Sequence, residues 1–216
     1  MQISLIEAKT LPEAWFLSLK EVLTKGREYV IERGSYKGHK RKELDFVVIR
    51  IEYPNSRPLL PDIPPHLGIP NPVDEEYLNR YLSYLICSDK KEDEEYTYGY
   101  YLESQIPEVI RMYKEDGHNT NQACMTIGKP SCIFMSDPPC IRNIDTKIID
   151  NKLHFYVYVR SWACWNGMPA NLAGIQLLKE YMAQEIGVED GEIIAMSKGL
   201  HLYDFEWEVA KKRVCF

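Results

Sequence analysis

Residues 153–159 read Leu-His-Phe-Tyr-Val-Tyr-Val. His154, Tyr156 and Tyr158 alternate with Phe155, Val157 and Val159, the period of a strand whose two faces meet different surroundings. Thr146 to Ile149 lies just before, and Asp150-Asn151-Lys152 between them is a hairpin turn signal. Pro169 to Gly187 then reads as a long helix, with Leu172, Ile175, Leu178, Tyr181 and Met182 on one face and Gly187 as its stop. Strands are expected again over 191–196 and 201–205. A hairpin, a long amphipathic helix and returning strands predict an α+β fold, with helices around a mixed sheet.

The first half fits the same pattern. Thr10 caps a helix running through Trp15, Leu19, Val22 and Leu23 to Gly26, with Glu13 three residues after the cap. Leu44 to Ile51 predicts a strand. Seven prolines between Pro54 and Pro72 predict an irregular ordered loop, not a flexible linker. Asp74 starts a helix through Tyr77, Tyr81, Leu82 and Leu85, and the charge run 88–95 predicts a solvated loop. Ser104 to Lys114 predicts a helix whose first turn tolerates Pro107. The short apolar stretches 122–127 and 132–135 predict strands. No repeat divides the chain, so residues 1–216 are expected to form one domain, and 216 residues bury a core without metal or disulfide staples.

Composition narrows the chemistry. The net charge is −6, unsuited to general nucleic-acid binding, so an anion would need a local basic site. No apolar run approaches the ~20 residues of a membrane span. The six cysteines form no Cys-x-x-Cys pair. The expectation is a cytoplasmic chain with reduced, mostly buried thiols and no metal.

Chemistry-bearing residues gather between 137 and 203. Cys140 follows Pro138-Pro139, which present it at a loop-to-strand junction where a cation could make it a nucleophile. Arg160-Ser161 ends a strand and suits a phosphate through its guanidinium fork. Asn171, in the first turn of the long helix, offers a donor and an acceptor to a base edge. His201 and Tyr203 are two apart on one strand face and could hold sugar hydroxyls. Taken singly, each has a plainer reading: an inert thiol, a surface ion pair, a capping amide, β-face packing.

Together, Pro139-Cys140, Arg160-Ser161, Gly167-x-Pro169-x-Asn171 and His201-x-Tyr203 resemble the thymidylate synthase family. Tyr98-Gly99 followed by Gln105-Ile106 extends the likeness, which is specific over about 96–207. Glu32-Arg33-Gly34 is weakly similar to the family's N-terminal arginine loop, and the length is closest to the short archaeal-type members. The resemblance implies a single thymidylate synthase-like domain acting as a homodimeric methyltransferase that converts dUMP to dTMP. Cys140 would add to uracil C6. Arg160, Ser161 and Arg33 would bind the phosphate, with Arg160 also keeping Cys140 ionised. Asn171 would read the base, and His201 and Tyr203 the deoxyribose. The one-carbon donor would be 5,10-methylene-tetrahydrofolate or another methylene-pterin, such as a tetrahydromethanopterin.

The departures lie mostly on the pterin side. Thr120-Asn121-Gln122 stands where the family has a paired arginine motif donated across the dimer, and Arg142, His118 and Lys129 are the candidate substitutes. Ile141 replaces the His after the nucleophile, Val159 the Gln before Arg160, and Ala163 the Asp that meets the pterin. For the family's water-organising Glu the candidates are Glu75, Glu76 and Glu103. Only residues 204–216 follow Tyr203, so no long C-terminal segment is expected to close over the pterin. Two other readings fit these departures: a nucleotide hydroxymethylase, and a non-catalytic nucleotide-binding homodimer.

Overall fold

In chain order the elements are β1 (Ile3–Ala8), α1 (Leu11–Lys25), β2 (Arg27–Val30), β3 (Lys40–Glu43), β4 (Phe46–Ile51), α2 (Glu75–Ile86), α3 (Gly99–Leu102), α4 (Gln105–Arg111), β5 (Cys124–Thr126), β6 (Ile141–Ile149), β7 (Lys152–Val159), β8 (Trp162–Ala163), α5 (Gly167–Ile186), β9 (Glu189–Ser197), β10 (Leu200–Tyr203) and α6 (Trp207–Val214). They are drawn from a computed structural model that describes residues 1–91 and 94–214. Residues 92 and 93 of the expected charged loop lie outside the described residues.

Six strands form one mixed sheet in the order β1-β4-β9-β7-β6-β5, and four form a smaller sheet in the order β2-β3-β10-β8. The β6–β7 hairpin turns on Asp150 and Asn151 alone, at φ 50° and 61°. Lys152 is therefore the first residue of β7 and pairs with Ile149, which shortens the expected three-residue turn to two. Short polar side chains tolerate these left-handed angles, which match the twist of a hairpin. Leu153, Phe155, Val157 and Val159 are buried on the inner face, as their alternation predicts.

The helices cover that face. The Thr10 hydroxyl accepts from the Glu13 N–H at 3.3 Å and the Asp74 carboxylate from the Tyr77 N–H at 2.7 Å, capping α1 and α2. α5 buries Leu172, Ile175, Leu178 and Met182. Tyr181 and Tyr77, expected on the core faces of their helices, are instead exposed. α2 crosses α5 closely. A Cβ on Gly174 would come within 2.8 Å of the Tyr81 ring, so the missing side chain lets the two helices meet.

Several expectations change. Residues 132–135 are no strand. Pro130–Phe134 is a 3-10 turn, closed where the Lys129 N–H donates to Cys132 Sγ at 3.2 Å. The apolar run is too short to choose between helix and strand by itself, and the local thiol acceptor decides it. The expected helix 104–114 is interrupted, with α4 followed by the wider turn Met112–Asp116. β1, β2, β3 and α6 had no strong periodicity and emerge only through pairing or packing. Cys132 and Cys164 are buried, whereas Cys87 and Cys124 are exposed and Cys140 lies between. No helix among the described residues is long and apolar enough to cross a membrane. Among them no group of three or more His, Cys, Asp or Glu side chains could hold a metal.

Lys179, fully enclosed on α5, reaches the Gly191 carbonyl and, at 3.2 Å, the Asp190 carboxylate. Burial pushes its pKa down to about 8, against the attraction of Asp190. The folded chain then carries fewer protons than the unfolded one between pH 8 and 10.5, so this group favours folding increasingly as pH rises through that window. Denaturant titrations at pH 7.5 and 10 should show wild type gaining roughly 1–3 kcal/mol relative to Lys179→Met. A gap independent of pH would rule this out. Gly174→Ala should destabilise by about 1–3 kcal/mol despite its helix propensity, because Tyr81 is itself buried and has nowhere to go. A rise in Tm would contradict that.

Candidate active site

The smaller sheet and the end of the hairpin enclose a cavity of about 420 Å³. Arg33, Cys140, Arg160, Ser161, His201 and Tyr203 all line it. They come from separate parts of the chain. Arg33 lies in the β2–β3 connection, Cys140 just before β6, and Arg160-Ser161 just after β7. His201 and Tyr203 are on β10. The smaller sheet gathers them by register: Glu43 of β3 pairs with His201, and Arg41 with Tyr203.

Arg160 holds the loop carrying the thiol. Its backbone N–H donates to the Cys140 carbonyl at 2.8 Å, Nε donates to the Pro139 carbonyl at 3.1 Å, and Nη2 donates to the Pro138 carbonyl. Nη2 also lies 3.4 Å from Asp137. Two arms of the fork are thus committed to positioning the Pro-Pro-Cys segment. The expected thiolate is corrected. Burial raises the Cys140 pKa and outweighs Arg160, Arg142 and Arg41, which pull it down, while Asp137 adds to the rise.

His201 is 1% exposed. Its Nδ1 lies 2.8 Å from the Gly199 carbonyl, an acceptor only, so Nδ1 carries the proton and Nε2 keeps a lone pair. Nε2 has no hydrogen-bond partner among the described residues. Burial, reinforced by the Arg41 charge, pushes the imidazole pKa down to about 4. The ring is therefore neutral at pH 7 and suited to accept from a hydroxyl. Tyr203 packs against both Tyr36 and Phe205, with centroids 4.3 and 5.4 Å away, and those two rings lie 6.3 Å from each other, so the three form a triangular cluster. Tyr36 thereby pins the loop carrying Arg33 over the cavity. Burial pushes the Tyr203 phenol up to about 12.

Asn171 is not on the cavity wall. Its Oδ1 accepts from Trp162 Nε1 at 2.9 Å and its Nδ2 donates to the Tyr81 hydroxyl at 2.7 Å. The Tyr81 ring meets Tyr98 edge-on at 6.5 Å, and the Tyr98 hydroxyl accepts from the Ile141 N–H at 3.5 Å, next to Cys140. Tyr81 and Tyr98 thus link Asn171 to the residue after the thiol. Trp162 is buried.

Sequence reasoning missed Arg41 and Lys198, the further cations on this wall. Arg41 pairs with Glu43 at 3.1 Å and lies 5.5 Å over the Tyr203 ring. The signal was present, since Arg41 and Glu43 are two apart in a β-spaced charged run, but nothing local marks such a run as cavity wall. Arg142, His118 and Lys129 do not line the cavity. Neither do Glu75, Glu76 or Glu103, all solvent-exposed; among the described residues the glutamate that does is Glu43. Arg142 packs its guanidinium against Gly128 instead. Lys129 lines a second cavity with Tyr96, Tyr100 and Tyr101, which shares Met135 with the first.

A thymidylate synthase family model matches residues 89–215. A Methanosarcina mazei protein named "Putative thymidylate synthase" is 32% identical over 216 aligned residues, covering 97% of this chain and 94% of that protein. A Methanothermobacter thermautotrophicus protein of the same name is 25% identical, with 96% of each chain covered. A Listeria monocytogenes thymidylate synthase is 32% identical over 111 residues, 51% of this chain and 35% of its own length. With its α+β sheets and helices, the chain belongs to the thymidylate synthase family.

Proposed function

We propose that the protein is a methyltransferase converting dUMP to dTMP in the cytoplasm, with Cys140 as its nucleophile. The observation that carries this reading is the convergence of Cys140 with Arg33, Arg160, Ser161, His201 and Tyr203 on one cavity. Cys140 Sγ bonds to C6 of the uracil ring and its proton passes to solvent. The electron pair displaced onto C5 makes that carbon nucleophilic toward the one-carbon unit; loss of the C5 proton then breaks the bond from that carbon to the pterin nitrogen, and hydride addition to the exocyclic methylene left on C5 expels Sγ and frees the product. Burial of the thiol favours its neutral form before substrate binds, and the cations Arg33, Arg41 and Lys198 face the dianionic phosphate. These cations belong to the same chain, which supports phosphate binding without the arginine pair absent at Asn121-Gln122. Neutral His201 accepts from the 3′-hydroxyl through Nε2, beside Tyr203.

The co-substrate is a methylene-tetrahydropterin of folate or methanopterin type. It supplies a carbon at the oxidation level of formaldehyde and the hydride that brings it to methyl. Ala163 on the cavity wall offers no acceptor to a pterin ring. Asp137, which meets Arg160 through Oδ1, keeps Oδ2 open to ring N–H groups.

A second copy of the chain is the proposed partner. On the outer face of the large sheet, Leu5, Val48, Met196 and Tyr158 fall in one lateral row across four strands. Leu5 and Ile3 are respectively 68% and 69% exposed. An apolar row of this kind fits a back-to-back sheet interface.

Incubation with 5-fluoro-dUMP and each methylene-pterin, followed by intact-mass measurement, should give a covalent adduct absent from Cys140→Ala. Absence of an adduct with either carrier, with dUMP still bound, would favour the non-catalytic reading. Recovery of hydroxymethyl-dUMP in place of dTMP would favour the hydroxymethylase. Sedimentation should find a dimer for the wild type and a shift to monomer for Val48→Glu, and a wild-type monomer would refute the sheet interface.

A further inference from the structure

Asn171 stands off the cavity wall with both ends of its amide engaged. We propose that Trp162 is a positioning residue that fixes this amide in the orientation matching a 4-oxo, N3–H pyrimidine and opposing a 4-amino one. The proposal rests on the reading of Asn171 as the group that meets the base.

The chemistry of the two partners differs. An indole N–H only donates, so the amide atom 2.9 Å from Trp162 Nε1 must be the carbonyl oxygen. The NH₂ end then falls on the Tyr81 hydroxyl at 2.7 Å. One lone pair of Oδ1 and one N–H of Nδ2 remain for a ligand. They complement the N3–H and O4 of uracil. Cytosine presents an acceptor at N3 and a donor at N4, so the amide would have to turn over to match it. Turning it sets NH₂ against the Trp162 N–H, donor facing donor. Trp162 is 1% exposed, so water cannot relieve the conflict.

Tyr81 offers no such resistance, because a hydroxyl both donates and accepts. It can serve either amide orientation by turning its own proton. Selectivity therefore rests on Trp162, while Tyr81 contributes affinity. Trp162 is held independently of any ligand: its backbone N–H donates to the Gly199 carbonyl at 2.8 Å, and the next residue but one, Cys164, donates to the His201 carbonyl at 2.7 Å. The strand that orients the base reader is thus bonded to the strand carrying His201 and Tyr203.

The test compares dUMP and dCMP dissociation constants by equilibrium competition on the full chain. Trp162→Phe removes the N–H, and so does benzothienylalanine at 162, which keeps the bicyclic shape should Phe fail to fold. Either change should shift the dCMP-to-dUMP affinity ratio toward dCMP by about tenfold or more, the equivalent of one lost buried hydrogen bond. Tyr81→Phe should weaken dUMP binding and leave that ratio unchanged. An unchanged ratio in a folded variant lacking the indole N–H overturns the proposal. A ratio that moves equally with Tyr81→Phe overturns the division of labour between the two. Asn171→Ala separates the two levels: if it leaves dUMP affinity untouched, the reading of Asn171 fails and the lock fails with it. If it weakens dUMP while Trp162→Phe leaves the ratio alone, only the lock fails.

Discussion

Arg160 is where the large sheet, the thiol loop and the cavity meet. Its backbone continues the β7 ladder one step by bonding to the Cys140 carbonyl, and its side chain grips the two proline carbonyls before it. Neither Pro138 nor Pro139 has an N–H to give, so carbonyls are all that this segment can offer for anchoring. A guanidinium, with donors in a rigid plane, can take two of them at once. The position of Cys140 is therefore set by the end of a central strand and not by the mobility of a loop.

Burial and charge work against each other around that thiol. Arg33, Arg41, Arg160 and Lys198 make one wall cationic in a chain whose net charge is −6. Burial nonetheless wins at Cys140 and at His201, leaving both neutral at pH 7. For His201 that outcome is useful chemistry, since a neutral ring with Nδ1 committed to Gly199 leaves an acceptor at Nε2. Among the cations, Arg33 and Lys198 are exposed, whereas Arg41 and Arg160 are partly enclosed. The outer Leu5–Val48–Met196–Tyr158 row belongs to the opposite face of the large sheet from its helices, so the surface proposed to pair two copies does not compete with the core.

Much of this was legible along the chain because it is written in local rules. Thr10 and Asp74 announce helix starts through side-chain caps, and the alternation at 153–159 and the periodicity at 169–187 set the faces of β7 and α5. The residues picked as a chemical set, Cys140, Arg160, Ser161, His201 and Tyr203, were recognisable from type and spacing, and Arg33 more weakly. Local rules failed where a long-range partner supplies the reason. β3 reads Lys-Arg-Lys-Glu and has no apolar face to announce it, yet its pairing with β10 brings Arg41 and Glu43 to the cavity. Residues 132–135 carry a strand-like composition, and the Cys132 thiol folds them into a turn instead.

By itself, the sequence determined the fold class, the family and the kinds of group available, because caps, periodicity and motif spacing are properties of neighbours along the chain. Only the tertiary structure decided how those groups are deployed. It turned two arms of Arg160 onto backbone carbonyls, left Cys140 protonated, added Arg41 and Lys198 to the cavity, and bound the Asn171 amide between Trp162 and Tyr81. The physical reason is the same in each case: protonation, hydrogen-bond orientation and the local sum of charges depend on burial and on atoms brought together from distant parts of the chain.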